Sequence, residues 1–138
     1  MCLEFLDKHR NIGFIILRIG IGGMFMYHGS GKLFAGPAMW AQIGGAVGNF
    51  GIHFAPTVFG FMAAISEFGG GLCLILGFFF RPACFFMFFT MLTAATMHLS
   101  QGDGLGTASH AIESGILFLS LMFIGPGPDS LDEKLKAK

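Results

Sequence analysis

Polar residues punctuate this chain so as to leave four long apolar stretches. The first eleven residues alternate Leu3, Phe5 and Leu6 with Glu4, Asp7, Lys8 and Arg10, the pattern of a short interfacial turn of helix. Apolar and small residues then dominate 12–31, 57–80, 82–99 and 108–124. Each is near the roughly 20 residues a helix needs to cross a bilayer. The segment between the first two is too broken to span. Pro37 suits a helix start, Trp40, Ile43, Val47 and Phe50 recur at helical spacing, and Gly51 suits a stop. This predicts a short amphipathic helix lying in the interface, with Trp40 as its anchor. Arg81-Pro82 follows the second span at once, which predicts a tight antiparallel hairpin of spans two and three. A glycine-rich loop over 100–106 precedes the fourth span, and Gly125-Pro126-Gly127-Pro128 ends it. Ser130-Leu131-Asp132-Glu133 reads as a capping box opening a charged tail over 129–138. The fold class expected is all-α, an integral membrane four-helix bundle with a short interfacial helix between spans one and two. The chain forms a single domain over 1–138.

Composition agrees with the pattern. Hydrophobic residues make up 54% of the chain and charged residues 12%, about half the charge of an ordinary soluble domain. Mean hydropathy is +0.72. The formal net charge is zero, so no nucleic-acid partner is indicated. The 22 glycines suit membrane helices, which use small residues to bring backbones together. Early charges and the lack of a small-residue cleavage site make the first apolar run a retained helix rather than a leader. Cys2, Cys73 and Cys84 show neither CxxC spacing nor a disulfide framework, and Cys73 and Cys84 read as small packing residues. Lys8, Arg10, Arg81, Lys134, Lys136 and Lys138 fall on one side of a four-span arrangement and only Lys32 on the other. The positive-inside rule then puts both termini in the cytoplasm.

Candidate chemistry concentrates on one carboxylate. Glu67 interrupts an otherwise apolar span, at a cost of roughly 3 kcal/mol by insertion scales, and an ionisable residue so placed marks a functional site by default. The other ionisable groups in or near the spans are Arg18, His28, Lys32, His98, His110 and Glu113. Arg18 can reach Glu67 from the first span, either as a structural ion pair or as part of a site. His28, His98, His110 and Glu113 fall at the end of the bundle opposite the termini. His110 and Glu113 share a helical face at i, i+3. His98, His110, Glu113 and Glu67 are the residue types that could hold a metal, but a di-iron bundle site needs more carboxylates in a stricter pattern. A haem between histidines is weaker still. A histidine–carboxylate group that handles protons beside a small apolar ligand such as a quinone fits the cluster best. No nucleotide loop, hydrolase triad or zinc finger is present.

The series Leu17-Arg18, His28-Gly29, Lys32-Leu33, Glu67-Phe68-Gly69-Gly70, Leu76-Gly77, Arg81, Met97-His98, Glu113, Gly125-Pro126-Gly127 and Ser130-Leu131-Asp132 resembles the DoxX family, in order along nearly the whole chain. The resemblance implies a small four-helix inner-membrane protein. Some relatives, the DoxD-type subunits, belong to a thiosulfate:quinone oxidoreductase, and others associate with redox or thiol-handling partners. The function expected is therefore a membrane subunit supporting quinone-linked redox chemistry with a partner protein. Glu67, His98 and Glu113 are the catalytic candidates. Arg18, His28, Lys32 and His110 are the ligand-binding candidates, and no metal site is assigned. A non-catalytic scaffold or chaperone and a small-solute carrier are the alternatives. The carrier needs a homo-oligomer, which glycine faces at Gly69 to Gly71, Gly44 and Gly48 would permit.

Overall fold

A computed structural model describes residues 3–137; Cys2 and Lys138 lie outside the described residues. Among the described residues every regular element is helical. A 3-10 turn, Glu4–His9, leads into α1, Arg10–Phe34. α2 is Pro37–Gly44, continued by a 3-10 turn, Gly45–Phe50. α3 is Pro56–Leu76, α4 is Phe80–Ser100 and α5 is Gly104–Ile124. A short α6, Leu131–Lys136, ends the chain. α1, α3, α4 and α5 are long and apolar enough to cross a membrane. Helices satisfy their own backbone groups, which lipid cannot do. The hydroxyls of Thr90, Thr93 and Thr96 follow the same logic, each donating to the carbonyl four residues earlier.

The four spans form an antiparallel bundle. One face carries both termini, the α3–α4 turn and α6, and is called the terminal face below. The other carries α2 and the α4–α5 loop and is called the far face. α1 packs on α3, α5 on α4, and α3 joins α4. Glycines set the closest approaches. Gly22 of α1 and Gly71 of α3 meet so tightly that a Cβ on Gly71 would lie 2.5 Å from the Gly22 carbonyl oxygen. Gly44 and Gly60 bring α2 onto α3 in the same way, with Gly44 against Pro56 and Gly60 against the Trp40 backbone. Gly70 is likewise filled, by Met87 of α4. Gly44, Gly70 and Gly71 thus serve contacts within this chain, which removes them from the glycine faces expected to join copies. Phe25 of α1 meets Phe118 of α5 edge-to-face at 4.8 Å, and Leu74, Phe80, Cys84, Met87, Met91 and Leu121 belong to the same buried core.

Three details differ from the sequence reading. The hairpin turn is Gly77–Phe79, not Arg81-Pro82. Gly77 caps α3 in the left-handed region (φ +62°), and Pro82 sits inside the first turn of α4, where a missing N–H costs no helix bond. Second, α5 starts at Gly104, three residues or more before the expected Thr107 or Ala108. Third, the tail helix docks on the α3–α4 turn, a contact the sequence did not indicate. The side chain of Ser130, fully buried, accepts from the Glu133 N–H as a capping box requires. Asp132 then accepts from the N–H groups of Phe79 and Phe80 at 3.0 and 2.9 Å, while its own N–H donates to Gly77 O. A carboxylate from α6 therefore caps the N-terminus of α4, where orphan amides and the helix dipole both favour negative charge.

Candidate functional site

Glu67 lies about three turns into α3 and is 1% exposed. Its partner is Lys32, whose Nζ donates to Oε1 at 2.5 Å. Lys32 sits at the far-face end of α1, with its side chain 36% exposed, so the pair reaches from the buried interior toward the far face. Trp40 helps to hold this end in place. Its Nε1 donates to Lys32 O at 3.0 Å, and its ring meets Phe61 of α3 edge-to-face at 4.9 Å. The indole expected to anchor in the interface is thus also the pin between α1, α2 and α3. The second carboxylate oxygen of Glu67, Oε2, is buried with no hydrogen-bond partner, and so is the neighbouring Ser66 hydroxyl. A buried polar atom without a partner is rare and costly.

Arg18 does not meet Glu67. It is 5% exposed and turns to the terminal face, where Nε and Nη2 donate to Leu74 O (3.0 Å) and Ile75 O (2.8 Å) and Nη1 to Pro126 O (3.3 Å). Leu74 and Ile75 lie in the last turn of α3, where Leu74 O also accepts from the Gly77 N–H at 3.1 Å, and a cation there complements the dipole. The expected Arg18–Glu67 pair fails because the two residues lie at different depths and each finds a nearer partner. The close approach of Arg18 and Ser130 to Gly77 also leaves no room for a Cβ at that position.

Two cavities meet at Glu67. The smaller, about 310 Å³, is a polar pocket containing His28, Lys32, Glu67, His98 and His110, walled by Phe25 and Met91. The His28 and His110 rings lie 5.9 Å apart, nearly perpendicular, and both contact Phe25. His98, in the last turn of α4, has Nδ1 2.7 Å from Asp103 Oδ2. The larger cavity, about 830 Å³, is a mainly apolar groove between α3 and α4. It runs from Lys32 and His98 to Phe79 and Pro82, beneath Met39 and Ile43 of α2. Met62, Ile65, Phe86 and Phe89 line it and are exposed on the bundle's outer surface, so the groove opens toward the surrounding lipid. Lys32, Glu67, Ala94 and His98 line both cavities and form the wall between them.

Five of the seven residues singled out from sequence therefore converge in the polar pocket. Arg18 and Glu113 do not. Glu113 is exposed on α5 and lines neither cavity. Sequence reasoning missed Asp103 behind His98, although the polar loop it sits in was visible. It also missed Ser66, whose hydroxyl reads as ordinary in an apolar span. Among the described residues no three histidine, cysteine or acidic side chains converge as metal ligands.

A family model described as DoxX matches residues 13–99. Inner membrane protein YqjF of Escherichia coli (strain K12) is 30% identical over 140 residues, covering 96% of this chain and 99% of that protein. An uncharacterized protein of Haemophilus influenzae is 32% identical over 142 residues, covering 96% of this chain and 98% of its own length. No solved structure matches.

Proposed function

The chain belongs to the DoxX family and is a multi-pass inner-membrane protein, and on that premise we propose that it is a membrane subunit that binds a quinone and supports its reduction or oxidation with a redox partner protein. The observation that carries this reading is Glu67 Oε2, a buried acceptor without a partner where a polar pocket meets an apolar, lipid-open groove. A quinone matches both halves. Its isoprenoid chain fits a groove of about 830 Å³, within the range of small-molecule sites. Its ring, once reduced, carries the hydroxyl donors that Glu67 Oε2 lacks.

The residues divide the work by chemistry. Lys32 can donate to a quinone carbonyl from the protons that Glu67 does not use. Glu67 accepts from the hydroxyl of the reduced form. His98, with His28 and His110 across the pocket, passes protons between the head group and the far face. Interconversion of quinone and quinol moves two electrons and two protons. The side chains described here handle the protons, and the partner protein exchanges the electrons. Arg18 and Glu113 have no part in this chemistry.

The chain has a single tryptophan, Trp40, bonded to the Lys32 backbone. Its fluorescence gives a direct test. In nanodiscs, titration with decylubiquinol should quench it saturably, and Glu67→Gln or His98→Ala should weaken the affinity for this reduced form tenfold or more. Quenching that rises linearly without saturation, or that is the same in both variants, would overturn the assignment.

A further inference from the structure

Asp103 occupies the N-cap position of α5, yet its side chain caps nothing there. An aspartate at that position usually accepts from the first amides of its own helix, which is worth about 1 kcal/mol. Here the carboxylate is directed back to α4, where Oδ2 lies 2.7 Å from His98 Nδ1. The backbone makes the same return, with the Asp103 N–H donating to His98 O at 3.1 Å. Gly102 and Gly104, with φ of +77° and +80°, give the loop the left-handed turns that this return requires. The loop is thus shaped to bring one carboxylate to one imidazole.

We propose that Asp103 is the positioning residue of the polar pocket, holding His98 as the Nδ1–H tautomer so that Nε2 is the ring's free acceptor on the pocket side. A carboxylate only accepts, so the nitrogen facing it carries the proton. The bond made by one ring nitrogen sets the state of the other. Among the described residues, His98 is the one of the three pocket histidines with a carboxylate on its ring; His28 and His110 meet each other and Phe25 instead. The charged and titratable groups around His98 are Asp103 behind it and Lys32, Glu67, His28 and His110 in the cavity. Nε2 then serves as a second acceptor beside Glu67 Oε2, and the pocket favours a head group that brings hydroxyl donors. This use of His98 rests on the quinone reading; the tautomer does not.

The test uses protein labelled with ¹⁵N-histidine in nanodiscs, with two-bond ¹H–¹⁵N spectra reporting each ring. The wild type should show an Nδ1–H ring that disappears in His98→Asn. In Asp103→Asn the amide can offer an N–H, and the ring should reverse to Nε2–H. Asp103→Ala should give a mixture, and Asp103→Glu should restore the wild-type state. The ratio of decylubiquinol to decylubiquinone affinity should fall about tenfold in Asp103→Asn, the scale of one hydrogen bond. A His98 ring that is Nε2–H in the wild type, or unchanged in both Asn and Ala variants, overturns the proposal. Should the Ala variant unfold, the Asn variant decides alone. Failure of either quinone form to bind the wild type defeats the quinone reading and leaves the tautomer result standing. Binding with an unmoved tautomer defeats this proposal only.

Discussion

Lys32 Nζ donates to Glu67 Oε1 at 2.5 Å, and this one bond ties the far-face end of α1 to the middle of α3. The pair is lopsided: Glu67 is buried and Lys32 is about one-third exposed. Removing the lysine leaves a carboxylate in an apolar interior, whereas neutralising the glutamate leaves an ammonium that can turn to water. Lys32→Met should therefore destabilise the protein by about 2 kcal/mol, below the value for a fully buried pair because the lysine is screened. Glu67→Gln should cost less than half of that. Thermal unfolding in one detergent, followed by circular dichroism, compares them, and the opposite order would refute the stated asymmetry.

Arg18 predicts a different phenotype. Its guanidinium serves three carbonyls that Lys cannot serve together. Arg18→Lys should lower stability by about 1–2 kcal/mol and Arg18→Ala by about 3 kcal/mol, since hydrogen bonds to charged groups are worth 1.5–3 kcal/mol. Folded protein of either variant should quench with decylubiquinone at wild-type affinity. A large loss of affinity without loss of stability would place Arg18 in the site after all.

The docked tail makes a local prediction. Asp132→Ala removes the acceptor for the Phe79 and Phe80 amides. A lost cap costs about 1 kcal/mol. Hydrogen exchange at those two amides should speed up about fivefold or more, with amides in the middle of α4 unaffected. Equal protection in wild type and variant would mean the tail does not cap α4.

Glycines that look alike in sequence should divide sharply. A Cβ at Gly60 would collide with the Trp40 carbonyl, and one at Gly29 with the Phe68 backbone. Gly20 and Gly23 have open space. Gly60→Ala and Gly29→Ala should lose several kcal/mol or fail to accumulate, because backbone cannot yield as a flexible side chain can. Gly20→Ala and Gly23→Ala should be neutral or gain about 0.5 kcal/mol. Expression and melting of the four variants form the comparison.

The orientation drawn from the basic residues also has a direct measurement. Lys8, Arg10, Arg81, Lys134 and Lys136 lie on the terminal face. A green fluorescent protein fused to the C-terminus should fluoresce, and an alkaline phosphatase fused there should be inactive. The reverse pattern would put the polar pocket on the cytoplasmic side.

Sequence alone determined the four spans, the short helix between the first two, the N-cap at Ser130 and the presence of a carboxylate, Glu67, inside the second span. These follow from local facts: apolar length against bilayer thickness, prolines and glycines at breaks, and the cost of a charge in oil. Only the tertiary structure decided which cation pairs with Glu67, that Arg18 closes α3, that Asp132 caps α4 and that Asp103 backs His98. Those choices depend on the relative depth and rotation of helices, which glycine contacts between Gly22 and Gly71 and between Gly44 and Gly60 set to within a side chain's reach. A pattern of residue types along one helix records which face is apolar, but not which neighbour that face will meet. Glu113 shows the limit: its spacing from His110 promised a shared face, and the packing of α5 left it outside.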